Sequence, residues 1–362
     1  MNYTIDALSY LIEIGSLTDS SFEFLINDQY LDSKKIILVD ENTNEYCLDY
    51  LLTNFSSLQN AEVILIPEGE ENKTLDICSQ IWETWAEYGV ERGDLLINLG
   101  GGVISDLGGF LASVYMRGIS YINIPTTLLA MIDASIGGKN GVDLGNNKNM
   151  LGTFSVPEAV FIDPGFLSTL SEGEWYNGFA EMLKHGVCNS EQHWKDCIQL
   201  VDVPSEMNVE LMYASILIKN TIVLEDPYDK GLRKKLNFGH TIGHGLEGYF
   251  LDKDPISHGY AVALGMLAEA FISFKRSYLT LSEFSEIENV ISIFYLPIDL
   301  TEVDYSDICK IIQNDKKNKG GKVKCVLLIG IGQAVIDKEI ETEEILSAIE
   351  FLNRKFLESK TD

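Results

Sequence analysis

The chain has 362 residues, 46% of them hydrophobic, and carries a formal net charge of -28. That length is too great for one ordinary core and fits two domains, and the composition excludes a disordered or fibrous chain. The acid excess repels nucleic acid and anionic membranes, so neither is expected as a partner, and it repels a phosphorylated ligand too unless cations gather at one place.

The first half alternates strand and helix signals. Lys35 to Asp40 and Ala61 to Pro67 are short β-branched runs ending at polar turns. Leu75 to Gly89 has apolar residues at helical spacing, and Asp94 to Leu99 is a further strand candidate that stops at Gly100-Gly101-Gly102. Tyr121 to Pro125 and Ala159 to Asp163 complete the strands. Strands separated by helices predict a mostly parallel sheet with helices packed on it. After about Leu170 the texture turns helical: Trp175 to Gly186, Val209 to Leu224, His240 to Tyr249, His258 to Ser277 and Glu343 to Phe356. Only Val323 to Gly332 reads as a strand or hairpin piece. The expectation is an α/β domain over 1–171 and a mostly helical domain over 172–362.

The six cysteines (Cys47, Cys78, Cys188, Cys197, Cys309, Cys325) include no C-x-x-C pair, which predicts reduced thiols and no cysteine-based zinc site. The opening MNYTIDALSY lacks a basic segment followed by an apolar core, and no apolar run approaches the ~20 residues of a membrane span. A cytoplasmic location is expected.

Cations are scarce between Glu91 and Ser190: Arg92, Arg117, Lys139, Lys148 and Lys184. The last four lie beside glycine-rich or apolar stretches, as an anion site requires. Strand, Gly100-Gly101-Gly102 turn, then VISDLGGF offers backbone N–H groups and a helix N-terminus to a phosphate. It departs from the G-x-G-x-x-G fingerprint at Ser105, and a tight turn without a ligand is the rival reading. Thr126 and Thr127 add hydroxyl donors, Gly137-Gly138 brings backbone close, and Lys139 and Lys148-Asn149 add charge and an amide. Further on, His240 and His244 stand four apart on one helix face, with His258 before the next apolar helix and Arg233 to Lys235 nearby. Histidines with a carboxylate suit a catalytic zinc with an open position. Spacing leaves the carboxylate undecided among 55 Asp and Glu. His185 follows Lys184 in a helical stretch, and His193 reads as a surface residue.

LGGGVISDLGGF from Leu99, Met116-Arg117-Gly118, IPTTLLAMIDASIGGKNGVD from Ile124, Lys148-Asn149, AEMLKHG from Ala180, LNFGHTIGHGLE from Leu236, HGYAVALGM from His258 and DKKNKG from Asp315 follow one another along the chain. In order and spacing they resemble the 3-dehydroquinate synthase family, over about Asp40 to Gly330. The resemblance implies an NAD-binding α/β domain followed by a helical zinc domain, with cobalt as the alternative metal. It implies conversion of 3-deoxy-D-arabino-heptulosonate 7-phosphate to 3-dehydroquinate and phosphate, by transient NAD oxidation, phosphate elimination, re-reduction and aldol closure. The expected partner is that small anionic sugar-acid phosphate, and the expected assembly a homodimer.

Carried over by position, the resemblance implies Glu181, His240 and His258 as zinc ligands and His244 as the proton-transfer histidine. Arg117 and a lysine of Lys316-Lys317, with Lys317 preferred, correspond to phosphate holders. Asp133, Lys139, Asn149, Lys184, Lys219, Asp229, Arg233 and Asn237 correspond to substrate or proton-transfer positions, Arg233 gripping the carboxylate with two bonds. Asp40, Asn42, Glu70, Lys73, Gly101, Gly102, Val103, Asp106, Thr126, Thr127, Lys148, Phe166, Thr169 and Asn177 correspond to NAD contacts. Three positions depart from the family pattern: Asp229 replaces glutamate, Tyr260 stands in H-G-E-A, and Asn140 follows Lys139 in place of threonine. Related cyclases acting on sedoheptulose 7-phosphate or glucose 6-phosphate, a metal- and NAD-dependent polyol dehydrogenase, and a non-catalytic paralogue are the rivals. Arg233 with Asn237 favours a carboxylated substrate over those of the related cyclases, the cations Arg117, Lys139, Lys219 and Arg233 argue against an uncharged polyol, and the zinc-ligand set with His244 argues against a non-catalytic paralogue, a reading that Asp229 keeps open.

Overall fold

The computed structural model describes residues 2–145, 147–200, 207–251, 253–314 and 322–360. They form two compact units, Met1–Trp175 with Pro204–Tyr228, and Tyr176–Val203 with Asp229–Asp362.

The first unit is built on a seven-stranded sheet in the order β1-β2-β9-β6-β5-β3-β4. Its strands are β1 (Tyr3–Asp6), β2 (Leu11–Ile14), β3 (Lys35–Asp40), β4 (Glu62–Ile66), β5 (Leu95–Gly100), β6 (Ser120–Pro125) and β9 (Ala159–Ile162). All neighbours run parallel except β1 and β2. β3 occupies Lys35–Asp40, as its β-branched run predicts, and all six residues of β5 are buried, as a strand covered on both faces requires. Helix α1 (Leu75–Glu87) and helix α2 (Gly102–Val114) close one face over Ile36, Leu38, Leu96, Trp85, Leu107 and Tyr121. β1 and β2 have no counterpart in the sequence reading. Neither has the antiparallel hairpin of β7 (Lys139–Leu144) and β8 (Asn147–Phe154), which occupies the stretch read as loop cations and glycines.

Helix α3 (Glu172–Asn189) carries the unit boundary inside its first turn, four residues beyond the expected break after 171. A second difference is larger. Helix α4 (Val209–Glu225), assigned by sequence to the helical domain, belongs to the first unit. Two polar side chains tie it there: Asn220 donates to the carbonyl of Asp6 at 2.9 Å, and Lys219 pairs with Asp133 at 2.6 Å.

The second unit is the helical one, with α5 (His240–Phe250), α6 (His258–Lys275), α7 (Leu281–Phe294), α8 (Tyr305–Asn314) and α9 (Thr342–Ser359). The strand β10 (Val323–Gly330) pairs with β11 (Gln333–Ile340) in a hairpin. α6 is its axis, apolar on nearly every side and buried from Gly259 through Ser273 with few breaks. His193 departs from its surface reading: the short helix Glu191–Cys197 carries it and Trp194 inward, and His193 is 3% exposed. Among the described residues, no helix is long and apolar enough to cross a membrane.

Candidate active site

In the second unit, α3 supplies Glu181, α5 supplies His240 and α6 opens with His258. One carboxylate oxygen and one ring nitrogen from each histidine lie within 4.8 Å of one another. Both Nε2 atoms approach the same Glu181 oxygen, His240 at 3.5 Å and His258 at 3.7 Å. Ligands about 2.0–2.1 Å from a tetrahedral zinc stand roughly 3.3 Å apart, so these edges fit such an ion with little adjustment. The other oxygen of Glu181, wholly buried, pairs with Lys184. The tautomer of His240 is set by chemistry at its far nitrogen: Nδ1 lies 3.1 Å from the Phe238 carbonyl, an acceptor only, so Nδ1 carries the proton and Nε2 keeps its lone pair. Burial disfavours a charged His258, yet the carboxylates of Glu181 and Glu247 outweigh it and push its pKa up to about 9. The pocket therefore favours positive charge where the three donors converge.

His244, one turn along α5, has its ring 5.1 Å from that of His240 and 5.9 Å from that of His258. With Glu247 and His258 it forms a second group of donors. His258 turns Nδ1 to Glu247, at 3.7 Å, and Nε2 to Glu181. One ring cannot give both nitrogens to one ion, and the converging Nε2 atoms favour the set containing Glu181 and His240. His244 thereby stands beside the point where Glu181, His240 and His258 converge, outside that set.

Other predicted residues of this unit sit close by in sequence. Arg233 and Asn237 lie on a tight 3-10 segment, Leu232–Asn237, with Arg233 4% exposed. Asp229 has φ 54°, a left-handed conformation that aspartate tolerates better than glutamate, which gives the shorter side chain a backbone reason. Asn177, carried over as an NAD contact, accepts the Gly259 N–H with its side-chain oxygen and so holds the turn that presents His258. Tyr260 donates to the Leu296 carbonyl at 2.8 Å, so this departure anchors the start of α6.

In the first unit, predicted cofactor residues gather at the carboxyl ends of the parallel strands, where open α/β sheets bind ligands. Gly101 precedes α2, and a Cβ there would stand 3.0 Å from Thr127 Cγ2. Gly102 and Val103 form the first turn of α2, and the Thr126 N–H donates to the Gly100 carbonyl at 3.0 Å. Buried Lys73 reaches Glu70 at 2.6 Å and Asp106 at 3.3 Å. Burial opposes its charge, but Asp106 and Glu70 hold its pKa well above the ordinary lysine range. Burial pushes the Asp106 carboxyl up to about 6 against the pull of Lys73 and Lys219. Asp40 caps the short helix Glu41–Tyr46 through the Thr43 N–H, and Asn42 donates to Glu68. Phe166 meets Tyr50 edge-on, and the Thr169 hydroxyl turns back to the Phe166 carbonyl. Lys139 and Lys148 belong to the β7–β8 hairpin, and Asn149, at φ 50°, donates its N–H to Asp143 at 2.6 Å.

Arg117 stands apart from that edge. It is exposed, at φ 67°, beyond the last residue of α2, and the 13 residues of that helix put about 20 Å between it and the glycine turn. Lys317 lies outside the described residues. Asn140 donates to the Ser155 carbonyl at 2.8 Å, in space left by Gly109, whose Cβ would fall 2.1 Å from the Asn140 oxygen. Glu247 was not singled out by sequence. Its only signal is its place seven residues after His240, two turns along the same helix face.

An α/β unit with a mostly parallel sheet followed by a helical unit is the fold of the sugar phosphate cyclases. A solved member, 2-epi-5-epi-valiolone synthase from Streptomyces hygroscopicus subsp. jinggangensis with NAD+ and Zn2+ bound, superposes with a TM-score of 0.83 at 25% identity, over 97% of this chain and 98% of that one. Within that class the chain belongs to the 3-dehydroquinate synthase family. The family's N-terminal pattern matches residues 63–177 and its C-terminal pattern residues 178–318. The 3-dehydroquinate synthase of Parabacteroides distasonis is 38% identical over 92% of this chain and 95% of its own. That of Clostridium acetobutylicum is 37% identical over 94% and 95%.

Proposed function

We propose that this chain converts 3-deoxy-D-arabino-heptulosonate 7-phosphate to 3-dehydroquinate and phosphate, with NAD and one divalent ion, zinc in the first instance. The observation that carries this is the convergence of Glu181, His240 and His258 in a chain of this family. NAD would take up and return the hydride while the ion polarises the hydroxyl being oxidised, so the reaction has no net redox change. The chain's own groups supply the rest. Glu181, His240 and His258 hold the ion, and Lys184 offsets the charge of Glu181. His244 moves a proton beside it, with Asp229 as a second candidate. Arg233 and Asn237 grip the substrate carboxylate, since a planar guanidinium matches it with two bonds. Lys139, Asn149 and Lys219 engage the sugar, with Asp133 positioning Lys219. The family pattern assigns Lys317 and Arg117 to the phosphate, although Arg117 stands about 20 Å from the glycine turn of its own chain.

Gly101, Gly102 and Val103 offer the α2 N-terminus to the NAD pyrophosphate, with Thr126 and Thr127 alongside. Asp40, Asn42, Glu70, Lys73, Asp106, Lys148, Phe166, Thr169 and Asn177 frame the remainder of the cofactor. The functional form is assigned as a cytoplasmic homodimer.

The test is phosphate release by the purified protein supplied with NAD, zinc and the heptulosonate phosphate. Release from that substrate, abolished by chelation, is expected. No release, or release only from sedoheptulose 7-phosphate, rejects the reading. Arg233→Ala should raise KM by about tenfold to a hundredfold, as the loss of hydrogen bonds to a charged group does, while zinc content stays constant.

A further inference from the structure

Helix α5 opens with no capping side chain of its own. Gly239, at φ 78°, stands at its N-cap, where Ser, Thr or Asp would ordinarily accept the orphan N–H groups. Those groups are satisfied from another helix. Glu269, on α6 and wholly buried, accepts the Gly239 N–H at 2.8 Å through Oε2. Its Oε1 accepts the N–H groups of Thr241 at 3.0 Å and Ile242 at 3.2 Å. The three donors bracket His240. A carboxylate taken out of water is costly unless hydrogen-bonded, and here three N–H groups and the positive end of α5 offset that cost.

The glycines show how closely the two helices are pressed. A Cβ on Gly265 would fall 1.8 Å from the Gly239 carbonyl, and one on Gly243 would fall 2.8 Å from the Ala261 carbonyl. α5 and α6 therefore meet backbone to backbone, antiparallel, with little room to slide. A local cap is barred, because a Cβ at 239 would meet the Val262 carbonyl at 2.8 Å and Met266. α6 carries His258 in its first turn, Gly265 two turns later and Glu269 three turns later, about 16 Å along a rigid rod. The helix that supplies one histidine also fixes the backbone on both sides of the other.

We propose that Glu269 is a positioning residue for the metal centre: by pinning the backbone at Gly239, Thr241 and Ile242 it fixes where the His240 ring stands relative to His258, and so sets how tightly and in what geometry the ion is held. This rests on the metal reading given above. Glu269→Gln keeps the shape but presents an NH2 to one or more N–H donors, so at least one contact is lost. Glu269→Asp keeps the charge on a shorter arm.

The experiment measures Co2+ and Zn2+ dissociation constants by chelator competition, the visible spectrum of the Co2+ protein, and NAD affinity, on wild type, both Glu269 variants and His240→Ala. Both Glu269 variants should weaken metal binding by about tenfold or more, as loss of a supporting partner around a metal ligand does, and shift the Co2+ bands, with NAD affinity unchanged. A Glu269→Gln or Glu269→Asp protein that melts earlier yet keeps wild-type Co2+ affinity and spectrum overturns the proposal, leaving a cap that serves stability alone. If Glu269→Gln does not fold, Glu269→Asp decides by the same criteria. His240→Ala serves as the separate control: wild-type Co2+ affinity in that variant defeats the metal reading itself and the inference with it.

Discussion

The two units make their polar sites by opposite means. In the first, shape comes from backbone: a glycine turn at the end of β5, the opening turn of α2 and strand ends carrying Thr126 and Thr127. In the second, it comes from side chains removed from water: Glu181 and Glu269 wholly buried, Glu247 nearly so, and imidazoles between them. A backbone site is vulnerable to anything that adds a Cβ, and its helix N-terminus favours negative charge without any ionisable side chain. A buried side-chain site depends on every proton and every partner.

The sharpest way to break this contrast is His240→Ala. It should strip the ion and lower turnover by about a thousandfold or more, roughly 4 kcal/mol of barrier, with NAD still bound. Metal analysis, phosphate release and cofactor titration check the three parts. Retained metal would count against the whole arrangement.

Acid comes next. Burial, reinforced by His185, lowers the pKa of His193 to about 4. The unfolded chain, with an ordinary histidine near 6.5, takes up that proton first. The neutral ring's contribution is therefore complete above about pH 6.5 and is lost as pH falls towards 4, about 3 kcal/mol in all. Urea denaturation at pH 7.5 and 4.5 should show a smaller drop for His193→Gln than for wild type. Parallel losses in the two proteins would remove His193 from the account.

The smallest effect belongs to the backbone site. Gly101→Val should cost about tenfold in NAD affinity, near 1.4 kcal/mol, because the new side chain meets Thr127, and it should leave zinc content untouched. Wild-type NAD affinity would mean that the turn has slack.

Legibility in the sequence follows the same division. β3, β5, β6, α5 and α6 announce themselves by β-branched runs or by apolar residues at helical spacing, and the four-residue interval of His240 and His244 places both on one helix face. Glu247 and Glu269 could not be picked out among 55 acids, because burial is decided by which helices meet. The β7–β8 hairpin was hidden by its own composition. Lys139–Leu144 and Asn147–Phe154 are rich in Gly and Asn, and their pairing depends on register rather than on propensity. His193 looked like a surface residue because its short helix is polar in sequence, and only Trp194 hints at an inward face. α4 groups with the first unit, although its helical texture in sequence points to the second, for a related reason. Its apolar character says that it is buried, and only Lys219 and Asn220 reveal against what.

That excursion of α4 bears on how the molecule is born. A nascent chain that has just cleared residue 175 holds the whole seven-stranded sheet, yet Asp133 still waits for Lys219, and the carbonyl of Asp6 for Asn220. The ribosome must first deliver most of α3 and the short helix after it, pieces of the other unit, before the helix that completes the first. Neither half is contiguous in the gene. A single cut at residue 171 would orphan a helix from its sheet, and the two halves are best regarded as one translational unit.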